Sequence, residues 1–258
     1  MGNDIFSLFG RSAVVVGGTS GIGRAIAIGL AGAGADVIAA SRRIHEVEQT
    51  AAEVASLGRR TLTIPVDVLN RESLQILHER VLQSFGRIDI LVNCAGITQR
   101  VPTLECREDE WNRILETNLT GTFRACQIFG KTMAAQRYGR IINIASMGTF
   151  VAFCEVAAYC ASKAAVGSLT KSLAVELAPL GVCVNAIAPG IFPTALNGEL
   201  LDQTERCREL HLRTPMRRFG KTDELVGAAI FLASEAASYT NGQILVVDGG
   251  YLASGVNQ

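Results

Sequence analysis

The sequence predicts a doubly wound α/β fold, a seven-stranded parallel sheet with helices on both faces. Three observations predict it. Short apolar runs alternate along the chain with stretches of helical periodicity, the pattern of successive βα units. The first apolar run, Ala13-Val14-Val15-Val16, opens at once into a glycine-rich turn and then a helix. The chain has 258 residues, 48% hydrophobic and 19% charged, which suits one sizeable domain over residues 1–258. It shows no linker, internal repeat or low-complexity segment. Together these describe a single-domain Rossmann-type architecture.

Each element has its own signal. Ala13–Val16 is uninterrupted in its apolar character, as a parallel strand buried on both faces must be. Gly17-Gly18-Thr19-Ser20-Gly21-Ile22-Gly23 follows, then a helix from Arg24 to Ala33. Glycines there let backbone approach a pyrophosphate, and the helix N-terminus offers N–H donors and a favourable dipole. Asp36–Ala40 is the second strand, with Ser41-Arg42-Arg43 after it. A dinucleotide fold places an acid there for a ribose 2′-hydroxyl, or an arginine for a 2′-phosphate. Ser41 and Arg42 hold that place; Asp36 comes too early, and Glu46 falls inside the next helix. No carboxylate is therefore expected to compete at the strand end. Two solvated loop arginines are the plainer alternative.

The alternation continues with a helix His45–Leu57, a strand Thr61–Val66 closing in Asp67-Val68, and a helix Glu72–Phe85. Ile88–Val92 is an apolar strand ending in Asn93-Cys94-Ala95-Gly96, whose small residues leave room for a flat ligand. Asp109–Gln136 reads as one extended helix, with Trp111, Leu115, Asn118, Thr122, Cys126, Phe129 and Met133 on one stripe. Asn118 is the polar member of that stripe and needs partners. Arg140–Ala145 is a strand ending at Ser146, where open α/β sheets place ligands. After the helix that carries Tyr159, Val182–Ala188 is a strand ending in Pro189-Gly190. Ile191–Arg218 breaks the rhythm and reads as a substrate lid. Asp223–Ser234 and Gln243–Val247 are the last helix and strand.

Composition excludes several classes. Lysine plus arginine equals aspartate plus glutamate, 24 each, so no net basic charge points to nucleic acid. No apolar run approaches membrane-spanning length. Met1–Gly10 lacks the pattern of a secretory signal, which points to the cytoplasm. The seven cysteines include no Cys-x-x-Cys pair and read as reduced thiols, with no metal site.

The chemistry centres on Tyr159-Cys160-Ala161-Ser162-Lys163. A tyrosine and a lysine at this spacing share one helix face, one turn apart. The lysine charge is expected to lower the tyrosine pKa, as a general acid or base near neutral pH requires.

These residues jointly resemble the classical short-chain dehydrogenase/reductase family, from about Leu8 to about Leu252. The motifs are Gly17-x-x-x-Gly21-Ile22-Gly23, Asn93-x-Ala95-Gly96, Asn118, Ser146, Tyr159-x-x-x-Lys163 and Asn185-x-x-x-Pro189-Gly190. Val16 departs from the threonine usual before the first glycine. The resemblance implies that Tyr159 is the general acid or base and that Lys163 lowers its pKa and holds the nicotinamide ribose. Ser146 would bond the substrate oxygen, and Asn118 would hold a water in a proton relay. The cofactor would be bordered by Gly17, Thr19, Ser20, Gly21, Ile22 and Gly23, then by Ser41, Arg42 and Arg43. Asp67 and Val68 would face adenine. Asn93, Ala95 and Gly96 would support the cofactor side, with Pro189, Gly190, Ile191 and Thr194 near the carboxamide. A homotetramer is implied, with the Asn118 and Tyr159 helices at its contacts.

The implied activity is reversible hydride transfer between a nicotinamide cofactor and a small-molecule carbonyl or secondary alcohol. NADP(H) is preferred through Arg42, with NAD(H) as the second coenzyme. Two branches of the family lie nearest: 3-oxoacyl-[acyl-carrier-protein] reductases and gluconate- or glucose-type dehydrogenases. Arg137 matches one basic position by which the former grips its acyl-carrier protein, but Leu180 stands at the other. The apolar Phe150–Phe153 segment weighs against a highly hydroxylated substrate. A non-catalytic NADP-binding regulator or scaffold is the alternative from another class; such proteins often lose the tyrosine or the lysine, and both are present here.

Overall fold

The computed structural model describes residues 4–194 and 205–255. Its sheet is wholly parallel, in the order β2-β1-β3-β4-β5-β6. The strands are β1 (Ser12–Val16), β2 (Asp36–Ala40), β3 (Ile90–Asn93), β4 (Gly139–Ile144), β5 (Val182–Pro189) and β6 (Ile244–Val247). Every residue of β1, β3 and β4 is buried, polar Ser12, Asn93, Arg140 and Asn143 included, and the rest of each strand is largely apolar. Alternate side chains feed two cores. Ala13 and Val15 of β1 join Ile26 and Leu30 of α1 (Gly21–Gly32) and Leu232 of the helix Val226–Ala233. Val14 and Val16 join Leu74 and Leu77 of α3 (Arg71–Phe85) and Phe129 on the opposite face. The helix α2 (Ile44–Ser56) connects β2 to the segment before α3.

The sheet has six strands among the described residues, not the seven expected. Thr61–Val66 runs beside β2 but does not ladder with it. Only its two ends are tied, Val37 N–H to Arg60 O (3.1 Å) and Val66 N–H to Ser41 O (2.8 Å). Thr61 to Pro65 lie partly or wholly in solvent at the sheet edge, and Pro65 has no N–H to donate.

The long helix is also not uniform. It divides into α4 (Glu108–Leu115), a π turn (Glu116–Thr120) and α5 (Gly121–Gln136). In the π turn Gly121 N–H bonds Glu116 O, one residue further back than in an α-helix. Upstream of that turn the buried residue is Ile114, while Trp111 and Leu115 of the expected stripe are only partly covered.

α6 (Ala157–Leu177) carries Tyr159 and Lys163 and ends in a tight turn at Ala178–Leu180 containing Pro179. α7 (Glu205–Arg213) and α8 (Val226–Ala233) complete the described helices. Of the expected lid, residues 195–204 lie outside the described residues; the described remainder is α7 and the chain to Arg218.

The chain passes from β1 to β2 on one side and to β3 on the other. That reversal opens a crevice at the carboxyl ends of the central strands, where doubly wound sheets bind ligands.

Candidate active site

Five chain segments meet at this crevice. The first is the turn after β1. Gly17 has φ +81°, and a Cβ there would stand 2.5 Å from Ala95 N, so only glycine lets the turn rest on the end of β3. A Cβ on Gly23 would come within 2.0 Å of Gly17 O. Gly21 has φ +49° and faces Thr194, which brings the expected carboxamide-side residue over the turn. The start of α1 is prepared for an anion. Its N-cap Ser20 makes no side-chain capping bond, and its first turn carries no acidic residue. Its leading N–H groups and dipole are thus left to a ligand, so the residues present fit a pyrophosphate-bearing dinucleotide.

The second segment is the end of β2. Ser41 is half-buried and Arg42 exposed; Arg42 makes no ion pair or side-chain hydrogen bond among the described residues. Here one expectation is corrected. Glu46 does lie in α2, but its carboxylate reaches back to the strand end. It accepts from Thr19 Oγ1 (3.1 Å) and from Arg43 (2.7 Å), and Thr19 Oγ1 is 2.7 Å from Ser41 Oγ. A carboxylate therefore does stand among the expected 2′-phosphate residues, because one helical turn brings the Glu46 side chain back over the residues before α2.

Third, Asp67 and Val68 sit beyond the edge segment. Asp67 Oδ1 accepts from Leu69 N–H (3.0 Å), and Val68 packs on Gly121. Fourth is the end of β3. Gly96 lies beside Asn118 and Lys163: a Cβ there would be 3.4 Å from Asn118 Oδ1 and 3.7 Å from Lys163 Nζ. Asn93 points elsewhere, into the core, where its amide donates to Asn143 Oδ1 (2.9 Å) and Cys126 Sγ (3.2 Å). It supports the strand end from behind.

Asn118, completely buried in the π turn, grips the chain after Gly96. Its Oδ1 accepts from Ile97 N–H (2.8 Å), and its Nδ2 donates to Ile97 O (2.9 Å) and Ser162 Oγ (3.0 Å). Both amide donors are thus engaged, so its side chain fixes loop geometry. Ser162 and Ile97 carry this clamp, and no sequence signal singled them out.

The fifth segment holds the reacting groups. Ser146 leaves the end of β4, and its Oγ accepts from Gly148 N–H (3.1 Å). Its hydroxyl lies close enough to the Tyr159 phenol to act on its pKa. Burial pushes that phenol above its ordinary pKa, the Ser146 hydroxyl pulls it down, and the Cys160 and Cys94 thiols push it up. Lys163 does not produce the lowering expected of it. Its Nζ is turned to Ile144 O (2.6 Å) and lies 5.8 Å from the Tyr159 ring centroid. Burial holds the Lys163 amine down to about 8, with Cys94 opposing. Thr149 Oγ1 donates to Lys163 O (3.0 Å) and so joins the Ser146 segment to the helix.

Pro189 ends β5, and Gly190 N–H bonds Val247 O (2.8 Å) before Ile191. A cavity of about 380 Å³ opens beyond it, lined by Ile191, Phe192, Met216, Phe219 and Asp248. It adjoins the strand ends but does not include Tyr159.

A glycine turn under a free helix N-terminus, with serine, tyrosine and lysine at the next strand ends, is a dinucleotide oxidoreductase arrangement. A family model described as "Enoyl-(Acyl carrier protein) reductase" matches residues 16–252. The chain belongs to the short-chain dehydrogenase/reductase family. It is an NAD(P)-dependent oxidoreductase of CH–OH and C=O groups. It is 43% identical over 248 residues to a 2-dehydro-3-deoxy-D-gluconate 5-dehydrogenase of Pseudoalteromonas atlantica, covering 96% of this chain and 98% of that protein. It is 36% identical to a 5-keto-D-gluconate 5-reductase of Escherichia coli, covering 98% of this chain and 99% of that one. Among solved structures it is similar to a gluconate 5-dehydrogenase from Burkholderia cenocepacia in complex with NADP and tartrate. There the TM-score is 0.94 and the identity 38%, over 98% of this chain and 99% of that one.

Proposed function

We propose that this chain interconverts a secondary alcohol and a ketone on a sugar acid, with NADP(H) preferred and NAD(H) accepted. The observation that carries the chemistry is the meeting of Ser146, at the end of β4, with Tyr159 and Lys163 of α6 at the edge of the glycine-cradled crevice. A nicotinamide cofactor, when bound, supplies or takes the hydride. The chain's own residues then have three tasks. Tyr159 gives its phenolic proton to the substrate oxygen in reduction and takes it back in oxidation. Ser146 donates to the same oxygen and stabilises charge developing there. Lys163, buried and fixed on Ile144 O, holds its amine beside Gly96, where a ribose hydroxyl would meet it. Asn118 secures the Gly96–Ile97 backbone against which the cofactor would lie.

The substrate class rests on the relatives' names and on a cation in the segment before Tyr159. Arg100 pairs with Glu155, and Arg206 donates to Cys154 O (2.9 Å) in the segment before Tyr159. With Arg100 matched by Glu155, Arg206 is the cation there that a sugar carboxylate could meet. The apolar segment that weighed against a hydroxylated substrate is partly spent on packing: Phe153 stacks on Tyr251 at 6.1 Å. Arg137, the one residue favouring a carrier protein, donates to Pro179 O (2.9 Å). A homotetramer is part of the same reading. Phe123 on α5 is 41% exposed and Val175 on α6 is 76% exposed, apolar surface on the two helices expected at subunit contacts.

The test is a panel of gluconate, 5-keto-gluconate, 2-dehydro-3-deoxygluconate and 3-oxoacyl thioesters, followed by NADPH and NADH absorbance. Turnover of a sugar acid is expected. Turnover of thioesters alone would move the chain to the other branch.

A further inference from the structure

Glu46 is an unusual first-turn carboxylate. It is the third residue after the N-cap Arg43 of α2, where a glutamate commonly bonds the helix's own first N–H groups. Glu46 makes no such bond among the described residues. Its oxygens are spent on Arg43, at 2.6 and 2.7 Å, and on Thr19 Oγ1 at 3.1 Å. Thr19 in turn is 2.7 Å from Ser41 Oγ. One carboxylate, two hydroxyls and one guanidinium therefore form a single cluster at the carboxyl end of β2. Thr19 is buried and Glu46 half-buried, while Arg43 is exposed, so the cluster runs from the buried strand end out to solvent.

We propose that Glu46 is a specificity-determining residue for the coenzyme: it offsets the charge of Arg43 and holds a carboxylate at the strand end where the ribose 2′-position would lie. The inference rests on the nucleotide reading of this crevice given above. Its consequence for selectivity is direct. A ribose 2′-phosphate carries about −1.5 to −2 charges near neutral pH. Of the two arginines after β2, Arg43 is already matched by Glu46, which leaves Arg42 to attract the phosphate. Matched in this way, Arg43 adds little pull on that phosphate, whereas the carboxylate keeps lone pairs to accept from an unphosphorylated ribose hydroxyl. Arg42 thus favours NADP(H), Glu46 opposes it, and the chain keeps NAD(H) as a working coenzyme.

The test is calorimetric binding of NADP⁺ and NAD⁺ to wild type and to Glu46→Gln, without substrate. Glutamine keeps the shape and an acceptor for Thr19 but removes the charge. Glu46→Gln is expected to raise the ratio of NADP⁺ to NAD⁺ affinity about tenfold, the scale of one charge a few ångströms away near a protein surface. A ratio unchanged within about twofold, or one that falls, overturns the proposal. A purely structural role would weaken both nucleotides together and lower Tm. Should Glu46→Gln fail to fold, wild type still decides: it is expected to bind NAD⁺ measurably, and no detectable NAD⁺ binding overturns the proposal. A wild type that binds NAD⁺ more tightly than NADP⁺ would sink the coenzyme preference proposed above. The Glu46→Gln shift would still stand or fall on its own.

Discussion

Lys163 donates to the main-chain oxygen of Ile144 at 2.6 Å, so the base of the catalytic helix is tied to the end of β4 by a buried charge. That charge is costly, and burial holds the amine down to about 8 against an ordinary 10.5. The sign for stability follows. Between pH 8 and 10.5 the unfolded chain binds more protons than the folded one, so stability rises with pH across that window. Lys163→Met lacks this dependence. Urea unfolding of the cofactor-free proteins should show wild type gaining on the order of 3 kcal/mol relative to Lys163→Met from pH 7 to 10.5. A stability difference that stays flat over this range would contradict the buried, depressed amine.

Tyr159→Phe removes only the transferable proton. Turnover should fall by about 10²–10⁴-fold, with NADPH binding nearly intact. Retention of more than about a third of wild-type kcat would remove Tyr159 from its assigned role.

The raised Tyr159 phenol also sets the pH profile. Oxidation needs the phenolate and reduction the phenol. The kcat/KM for alcohol oxidation should therefore climb from pH 6 toward pH 10, while that for ketone reduction holds steady and falls only at the alkaline end. Parallel profiles in the two directions would argue against a single shared tyrosine.

Asn118→Ala deletes three hydrogen bonds, two to Ile97 and one to Ser162. Stability should drop by about 2–4 kcal/mol. Nucleotide affinity should weaken with it, because the Gly96–Ile97 backbone loses its clamp. Thermal unfolding and NADPH titration of the same variant check both; a loss of turnover with neither effect would instead favour a direct part in proton transfer.

Arg42→Ala should weaken NADPH about tenfold to hundredfold and NADH little, since one charge-assisted bond to phosphate is worth about 1.5–3 kcal/mol. Equal losses for both coenzymes would make Arg42 an ordinary solvated arginine.

Much of this molecule was legible in its sequence because its central strands are short and buried on both faces. Ala13–Val16 and Ile88–Val92 announce themselves as largely apolar runs, and the glycines and Tyr159-x-x-x-Lys163 carry fixed spacing. What escaped depends on geometry between segments. Thr61–Val66 has strand composition, yet an edge position and Pro65 deny it a ladder. Glu46 reads as a helix residue, and only the folded turn shows that its carboxylate meets Thr19. The direction of the Lys163 amine is likewise invisible in spacing: four residues place it one turn from Tyr159, but a free carbonyl at the end of β4 decides where it points.

The π turn at Glu116–Thr120 has a consequence for how this chain tolerates change. One surplus residue in a helix advances everything upstream by about 100° relative to everything downstream. Residues 108–115 and 121–136 therefore answer to separate constraints. Removing a single residue from the turn would rejoin them into one continuous α-helix and turn Ile114 off its buried face. Asn118 would then rotate off Ile97, and the loop after Gly96 would come loose. A one-residue deletion in this turn would thus reach the site through the backbone, without touching any group that meets the substrate.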